Sequence, residues 1–262
     1  MKCHIGQSVI HYVEYGTGIP VIALHGAGVD HREIEAAVEA FFPHDGYRRI
    51  YPDLPAMGQS EAVHLNSNND VVHVLCDFIE RVADGSVLLL GHSYGAYLAR
   101  GVAARRPDII DGLALICPLG QHATEVPEPT VVWQDDDADD ELDPEDRRGF
   151  QEYFVVRTRA TARRYRDHVV PGMSRVDEAA LGRIFADWPI DMGEGSFNKP
   201  SVIVAGRQDS TVGYIDALHL GQRYSKASIA VIDGAGHALL HEYPDLITAH
   251  IRHWLQRLNH AM

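Results

Sequence analysis

SVLLLGHSYGAYLARGV, Ser86 to Val102, is the stretch that decides the fold. An apolar run, Val87 to Leu90, reads as a strand, and a run of good helix formers follows almost at once. Between them lies Gly91-His92-Ser93-Tyr94-Gly95, a serine with a glycine two residues to either side. A serine in an ordinary glycine turn is the plain account. In a nucleophile elbow, by contrast, the serine takes an unfavourable backbone conformation, and Gly91 and Gly95 must be small for strand and helix to approach. The same turn aims the Tyr94 N–H at the place where an oxyanion would form. The rest of the chain decides between the two accounts.

Outward from this stretch, strands and helices alternate. SVIHYVEYG reads as a strand closed by a glycine turn, PVIALHGAG as a buried strand and REIEAAVEAFF as a helix. After the strand YRRIYPDLP, NDVVHVLCDFIERVADG places Val71, Val72, Leu75, Phe78, Ile79 and Val82 on one helical face, opened by an Asn/Asp cap and closed by Gly85. GLALICPLG completes the first half as a strand. Strands this apolar have both faces covered, which is the mark of a parallel sheet with helices on each side. The rhythm stops after Gly120 and resumes with KPSVIVAGRQD, VGYIDALHLGQRY and ASIAVIDGAGH. The last helix starts near Pro244 and buries Leu246, Ile247, Ile251, Trp254, Leu255 and Leu258 along one stripe.

Residues 119–197 hold no convincing central strand. DDDADDELDPED is read as a solvated acidic loop facing the arginine-rich stretch that follows, and no chemistry is assigned to it. Trp133, Phe150, Tyr153, Phe154, Tyr165, Trp188 and Phe197 suffice for a small helical layer with an apolar underside. The expected organisation is therefore one α/β core, residues 1–118 and 198–262, interrupted by a helical insertion, residues 119–197.

Composition narrows the function classes. Among the 262 residues, 23 Lys and Arg stand against 37 Asp and Glu, a formal charge of −14 that opposes nucleic acid and anionic membranes as partners. No apolar run approaches the roughly 18 residues of a membrane span, and the start is too polar for a signal peptide, so a cytoplasmic protein is expected. Cys3, Cys76 and Cys117 are in no metal-ligand spacing and read as reduced thiols. No metal or organic cofactor is expected, and the sequence leaves the oligomeric state open.

A serine hydroxyl needs a base, and the base needs an orienting group. His237, after an apolar strand and a flexible glycine pair, is the candidate base, with His241 as its nearest rival. Asp209, just past another apolar strand, is the candidate acid, preferred over its plainer reading as a cap of the following helix. Asp233 is assigned to turn geometry. The stretch CPLGQH, the alternative place for the acid, offers no carboxylate. A second oxyanion donor, the Ala27 N–H, comes from ALHGAG, where Gly26 and Gly28 permit close approach and His25 anchors the loop.

Together HGAG (His25 to Gly28), DLPAMGQS (Asp53 to Ser60), GHSYGA (Gly91 to Ala96), VAGRQD (Val204 to Asp209) and GAGH (Gly234 to His237) resemble the α/β hydrolase superfamily, in the family order. The resemblance implies a doubly wound, mostly parallel sheet of about eight strands with a cap where residues 119–197 lie. It also implies Ser93 as nucleophile, His237 as base, Asp209 as orienter, and the Ala27 and Tyr94 amides as oxyanion hole. Ala56 and Met57 depart from the family's usual glycine and histidine. Serine at the elbow argues against the haloalkane dehalogenase and epoxide hydrolase branches. The expected activity is hydrolysis of a carboxylic ester or related small acyl compound through an acyl-serine. The alternatives are carbon-carbon bond hydrolysis of a diketone-like substrate, for which Arg157 or Arg164 near the pocket would signal an acidic substrate, and a non-catalytic ligand-binding protein.

Overall fold

The computed structural model describes residues 1–120, 125–193 and 197–259. Strands β1 (Lys2–Ile5), β2 (Ser8–Tyr15) and β3 (Ile19–Leu24) lead into helix α1 (His31–Phe41), strand β4 (Tyr47–Pro52), helix α2 (Asn68–Val82), strand β5 (Val87–His92), helix α3 (Tyr94–Arg105) and strand β6 (Ile110–Ile116). The excursion follows. It contains two-residue strands β7 (Trp133–Gln134) and β8 (Val156–Arg157), which pair only with each other, and helices α4 (Arg147–Tyr153), α5 (Arg159–Arg164), α6 (Val170–Met173) and α7 (Glu178–Ala186). The chain returns to the sheet as β9 (Ser201–Gly206), α8 (Ile215–Arg223), β10 (Ala227–Ile232), α9 (Leu239–Glu242) and α10 (Pro244–Asn259).

The sheet has eight strands in the order β1-β2-β4-β3-β5-β6-β9-β10. Only the pairings β1 with β2 and β2 with β4 are antiparallel. Every residue of β5 and β9 is buried, because helices cover both faces. One core lies between the sheet and α2, α3 and α8, and a second between the sheet and α1 and α10. The carboxyl ends of β3, β5, β9 and β10 therefore share one edge, where a doubly wound sheet places its ligands.

Three local readings change. Ser67, not an Asn or Asp, caps α2 by accepting from the Asp70 N–H. Leu246 is 41% exposed in the first turn of α10, before that helix settles onto the sheet. The sequence pattern also overlooks β1, a four-residue edge strand that is mostly uncovered. The acidic loop lies as expected: Glu141 pairs with Arg159, Arg163 and Arg166 at the surface. In the excursion, Phe150, Phe154 and Tyr165 form an apolar cluster that also takes in Val29 and Ala238 of the core. Trp133 departs from that underside and is 60% exposed.

The segment after β4 is held by Asp53, whose carboxylate accepts from His31 Nδ1 at 2.6 Å and N at 2.9 Å, His11 Nδ1 at 2.9 Å, and the Gln59 N–H at 2.8 Å. Ala56 and Met57, the two departures from the family pattern, meet the excursion here. The Ala56 carbonyl accepts from the Asp177 N–H at 2.8 Å, and Met57 bridges to Val176. Ala56 sits at φ 69°, a left-handed conformation that costs a side-chain-bearing residue about 1–2 kcal/mol.

Two stability outcomes follow from this packing. Ala56→Gly removes the left-handed strain at the cost of greater freedom in the unfolded chain, and raises stability by about 0.5–1 kcal/mol in urea titrations. Trp254→Ala removes the largest fully buried side chain, whose Nε1 donates to the Pro200 carbonyl at 2.9 Å, and lowers stability by about 3–5 kcal/mol in the same assay.

Candidate active site

Ser93 stands between β5 and α3 at φ 53° and ψ −120°, a conformation that serine rarely adopts. The flanking glycines make it attainable. A Cβ on Gly91 would lie 2.5 Å from the Gly95 carbonyl group, and one on Gly95 would collide with the Leu24 carbonyl oxygen at the end of β3. Strand, turn and helix therefore touch through bare backbone at both positions. Tyr94 opens α3, so its N–H has no acceptor within the helix and is left beside the serine. Its phenol points the other way and donates to Asn68 Oδ1 at 2.6 Å.

The structure brings Ser93, His237 and Asp209 together from widely separated positions. Ser93 Oγ is 2.8 Å from His237 Nε2, and His237 Nδ1 is 2.8 Å from Asp209 Oδ2. Asp209 does not cap α8, which begins at Ile215 behind Tyr214; its Oδ1 instead accepts from the Thr211 and Val212 N–H groups of the intervening turn at 2.9 Å each, which leaves Oδ2 for the histidine. Burial alone would lift the Asp209 carboxyl, but His237 and these hydrogen bonds outweigh it and hold it below its ordinary value. With Asp209 ionised, His237 Nδ1 carries the proton and Nε2 presents a lone pair to the Ser93 hydroxyl.

The rival residues lie elsewhere. His241 faces Glu33 at 3.6 Å, and Asp233 accepts from Gln208 Nε2 at 3.1 Å in a turn. After β6, Cys117 is fully buried and followed by Pro118, Leu119 and Gly120; Gln121 and His122 lie outside the described residues.

The HGAG loop lies across from the serine. A Cβ on Gly26 would be 3.5 Å from Ser93 Cβ, so this backbone approaches the hydroxyl directly. His25 is the loop's anchor: Nδ1 donates to the Gly26 carbonyl at 2.7 Å, while Nε2 accepts from the Leu54 N–H at 2.9 Å. Its complete burial pushes its pKa down, in keeping with a neutral ring that uses both nitrogens for structure. Ala27 is exposed at the rim.

A cleft of about 460 Å³ opens over this edge. Gly26, Ala27, Gly28, Val29, Glu33, His92, Ser93, Thr211 and His237 line it from the core, and Gly149, Glu152, Tyr153, Tyr165, Val169 and Met173 from the excursion. No Lys or Arg lines it among the described residues. Arg157 is turned to the Phe154 and Gln151 carbonyls and Gln134, and Arg164 to the His241 carbonyl, so neither faces the cleft.

Three residues of the site escape a reading of the sequence. His92, inside the elbow itself, approaches the His237 carbonyl with Nε2 at 3.0 Å. Its Nδ1 is 2.8 Å from Glu33, an ion-pair distance at an angle outside hydrogen-bonding geometry. Burial would lift the Glu33 carboxyl, but His92 and His241 hold it well below the usual carboxylate range. The signal for Glu33 was a charge on the buried stripe of α1, beside Ile34, Ala37, Val38 and Phe41. The third, Glu242, accepts from the Gly236 N–H at 2.7 Å, next to His237.

Ligand atoms of His11, His31 and Asp53, and of His92, Cys117 and His237, converge within 4.8 Å, the spacing a metal ion would need. In the first group four donors already occupy the Asp53 oxygens, and in the second His237 is committed to Ser93 and Asp209. No helix among the described residues is long and apolar enough to cross a membrane.

Comparison with known proteins agrees with this architecture. Over 107 residues the chain is 34% identical to (E)-2-((N-methylformamido)methylene)succinate hydrolase of Acinetobacter baylyi, a match spanning 40% of each protein. An alpha/beta superfamily hydrolase from Oenococcus oeni superposes with a TM-score of 0.87 at 25% identity, covering 95% of this chain and 96% of that one. A thermophilic esterase from Thermogutta terrifontis shares the fold, with a TM-score of 0.73 at 21% identity over 98% of both chains. The model of the alpha/beta hydrolase family matches residues 21–250. With that match, the eight-stranded sheet and the ordered motifs, the chain is an enzyme of the alpha/beta hydrolase family.

Proposed function

We propose that the protein is a serine hydrolase that cleaves a carboxylic ester or related small acyl compound through an acyl-Ser93 intermediate. The observation that carries this reading is His237 bridging Ser93 and Asp209 with two hydrogen bonds of 2.8 Å. In the first step Ser93 Oγ attacks the carbonyl carbon as its proton passes to His237 Nε2, and the protonated histidine then delivers that proton to the departing alcohol. In the second, water loses a proton to His237 and attacks the acyl-enzyme, and the Ser93 oxygen leaves with the proton returned. Asp209 stabilises the imidazolium that forms in each step. The Ala27 and Tyr94 N–H groups receive the oxyanion, each contributing roughly a hundredfold or more to the rate.

The excursion, residues 119–197, serves in this reading as a cap that supplies the far wall of the cleft and sets substrate shape. Tyr153, Tyr165, Val169 and Met173 favour a small or medium apolar group. The charge of the cleft bears on the alternatives. The Acinetobacter relative is named for a substituted succinate, and an acidic substrate of either the ester or the carbon-carbon type needs a cation to receive its carboxylate. Here the lining residues carry Glu33 and Glu152 instead, which supports a neutral substrate.

A panel of p-nitrophenyl esters tests this reading. Neutral acyl chains are turned over, and hemisuccinate esters of matched length show a kcat/KM lower by about tenfold or more; equal turnover of the two would contradict the charge argument. Ser93→Ala lowers kcat by roughly 10⁴-fold or more and abolishes fluorophosphonate labelling. Asp209→Asn leaves the fold intact but lowers kcat by roughly 10⁴-fold, through the wrong tautomer of His237.

A further inference from the structure

We infer that Glu242 is a positioning residue: its carboxylate clasps the excursion to the loop that carries His237, so that docking of Val155 and Val156 holds the base in register. The inference rests on the assignment of His237 as the base. Glu242 ends α9 and is 8% exposed. Its Oε2 accepts from the Gly236 N–H at 2.7 Å, and its Oε1 accepts from the Val155 and Val156 N–H groups at 2.8 and 3.1 Å. One side chain thus joins the residue before His237 to two consecutive backbone donors of the excursion.

The chemistry requires a carboxylate. Both oxygens act as acceptors, whereas a glutamine of the same shape would turn an NH₂ group toward an N–H that it cannot receive. Burial lifts the Glu242 carboxyl above its ordinary value, and the three N–H donors offset part of that by favouring the charged form.

Packing ties the same two segments together. Val155 lies directly on Gly236, where a Cβ would stand 2.8 Å from Val155 Cγ1. The next contacts along α9 repeat the theme: the His241 carbonyl accepts from Arg164, and the Phe154 ring lies 6.1 Å from that of His241. Tyr153, two residues before Val155, places its ring 5.9 Å from the His237 imidazole and also lines the cleft. A shift of this strand of the excursion therefore reaches His237 through Gly236.

The test compares wild type, Glu242→Gln, Val155→Ala and the double variant, with Ser93→Ala as control. Steady-state kinetics on p-nitrophenyl butyrate, the rate of fluorophosphonate inactivation and amide hydrogen exchange are measured below the thermal midpoint of every variant. Glu242→Gln is expected to lower kcat by about tenfold or more with KM within about threefold, to slow inactivation in parallel, and to speed exchange in the peptide holding Gly236 and His237. Val155→Ala gives a smaller loss, and the double variant falls little below Glu242→Gln, because both act on one link. Wild-type kcat and exchange in Glu242→Gln, or losses that multiply in the double variant, would overturn the inference. If Glu242→Gln does not fold, Val155→Ala alone decides through kcat and exchange at Gly236: unchanged values overturn the clasp. Turnover retained in Ser93→Ala would instead indict the assignment of the nucleophile, while hydrogen exchange would still report on the clasp.

Discussion

Ser93 is held at φ 53° by a turn in which the neighbouring backbones meet without side chains between them. Gly91 faces Gly95, Gly95 faces the end of β3, and Gly26 faces Ser93 itself. At Gly91 and Gly95 there is no room for a larger residue, so the close packing of β3, β5 and α3 is what maintains the strained serine. From that constraint the rest of the site acquires its place. The hydroxyl is lifted from the sheet edge, the first N–H of α3 lies beside it, and the HGAG loop comes near enough to offer another. In the proposed chemistry the fold fixes the backbone, and three side chains complete the site.

His237 needs comparable support, because it is carried on a loop rather than on a strand or helix. Its side chain is oriented by Asp209, its carbonyl is met by His92, and the preceding N–H is taken by Glu242. Two of these braces are linked to buried carboxylates, Glu33 behind His92 and Glu242 itself. Such groups cost desolvation wherever they are placed; Glu33 meets His92 and His241, and Glu242 meets the loop at Gly236. The excursion reaches this loop as well, so the wall of the cleft and the placement of the histidine are mechanically connected.

Much of this was legible in the sequence, for identifiable reasons. Strands such as Val87–His92 are apolar throughout because helices cover both faces, and that pattern survives without any knowledge of tertiary contacts. The glycine pair before His237 set it apart from His241 as the candidate base, and its place just past a strand set Asp209 apart from Asp233 as the candidate acid. Edge strand β1 was not legible, since four mostly uncovered residues carry no alternation. Nor were the contacts of Glu33, His92 and Glu242, whose partners lie on other elements and depend on the fold to meet. Arg157 and Arg164 show the converse: sequence placed them in the excursion, but only the folded chain reveals that backbone carbonyls hold them away from the cleft.

The central claim is that Ser93 carries the acyl group between the two half-reactions. Rapid mixing of the enzyme with p-nitrophenyl butyrate, acid quenching in the burst phase and peptide mass spectrometry test it directly. The account predicts one butyryl group on the peptide containing Ser93, appearing at the rate of the p-nitrophenol burst. A butyryl group on another residue formed at that rate, with Ser93 unmodified, would contradict it.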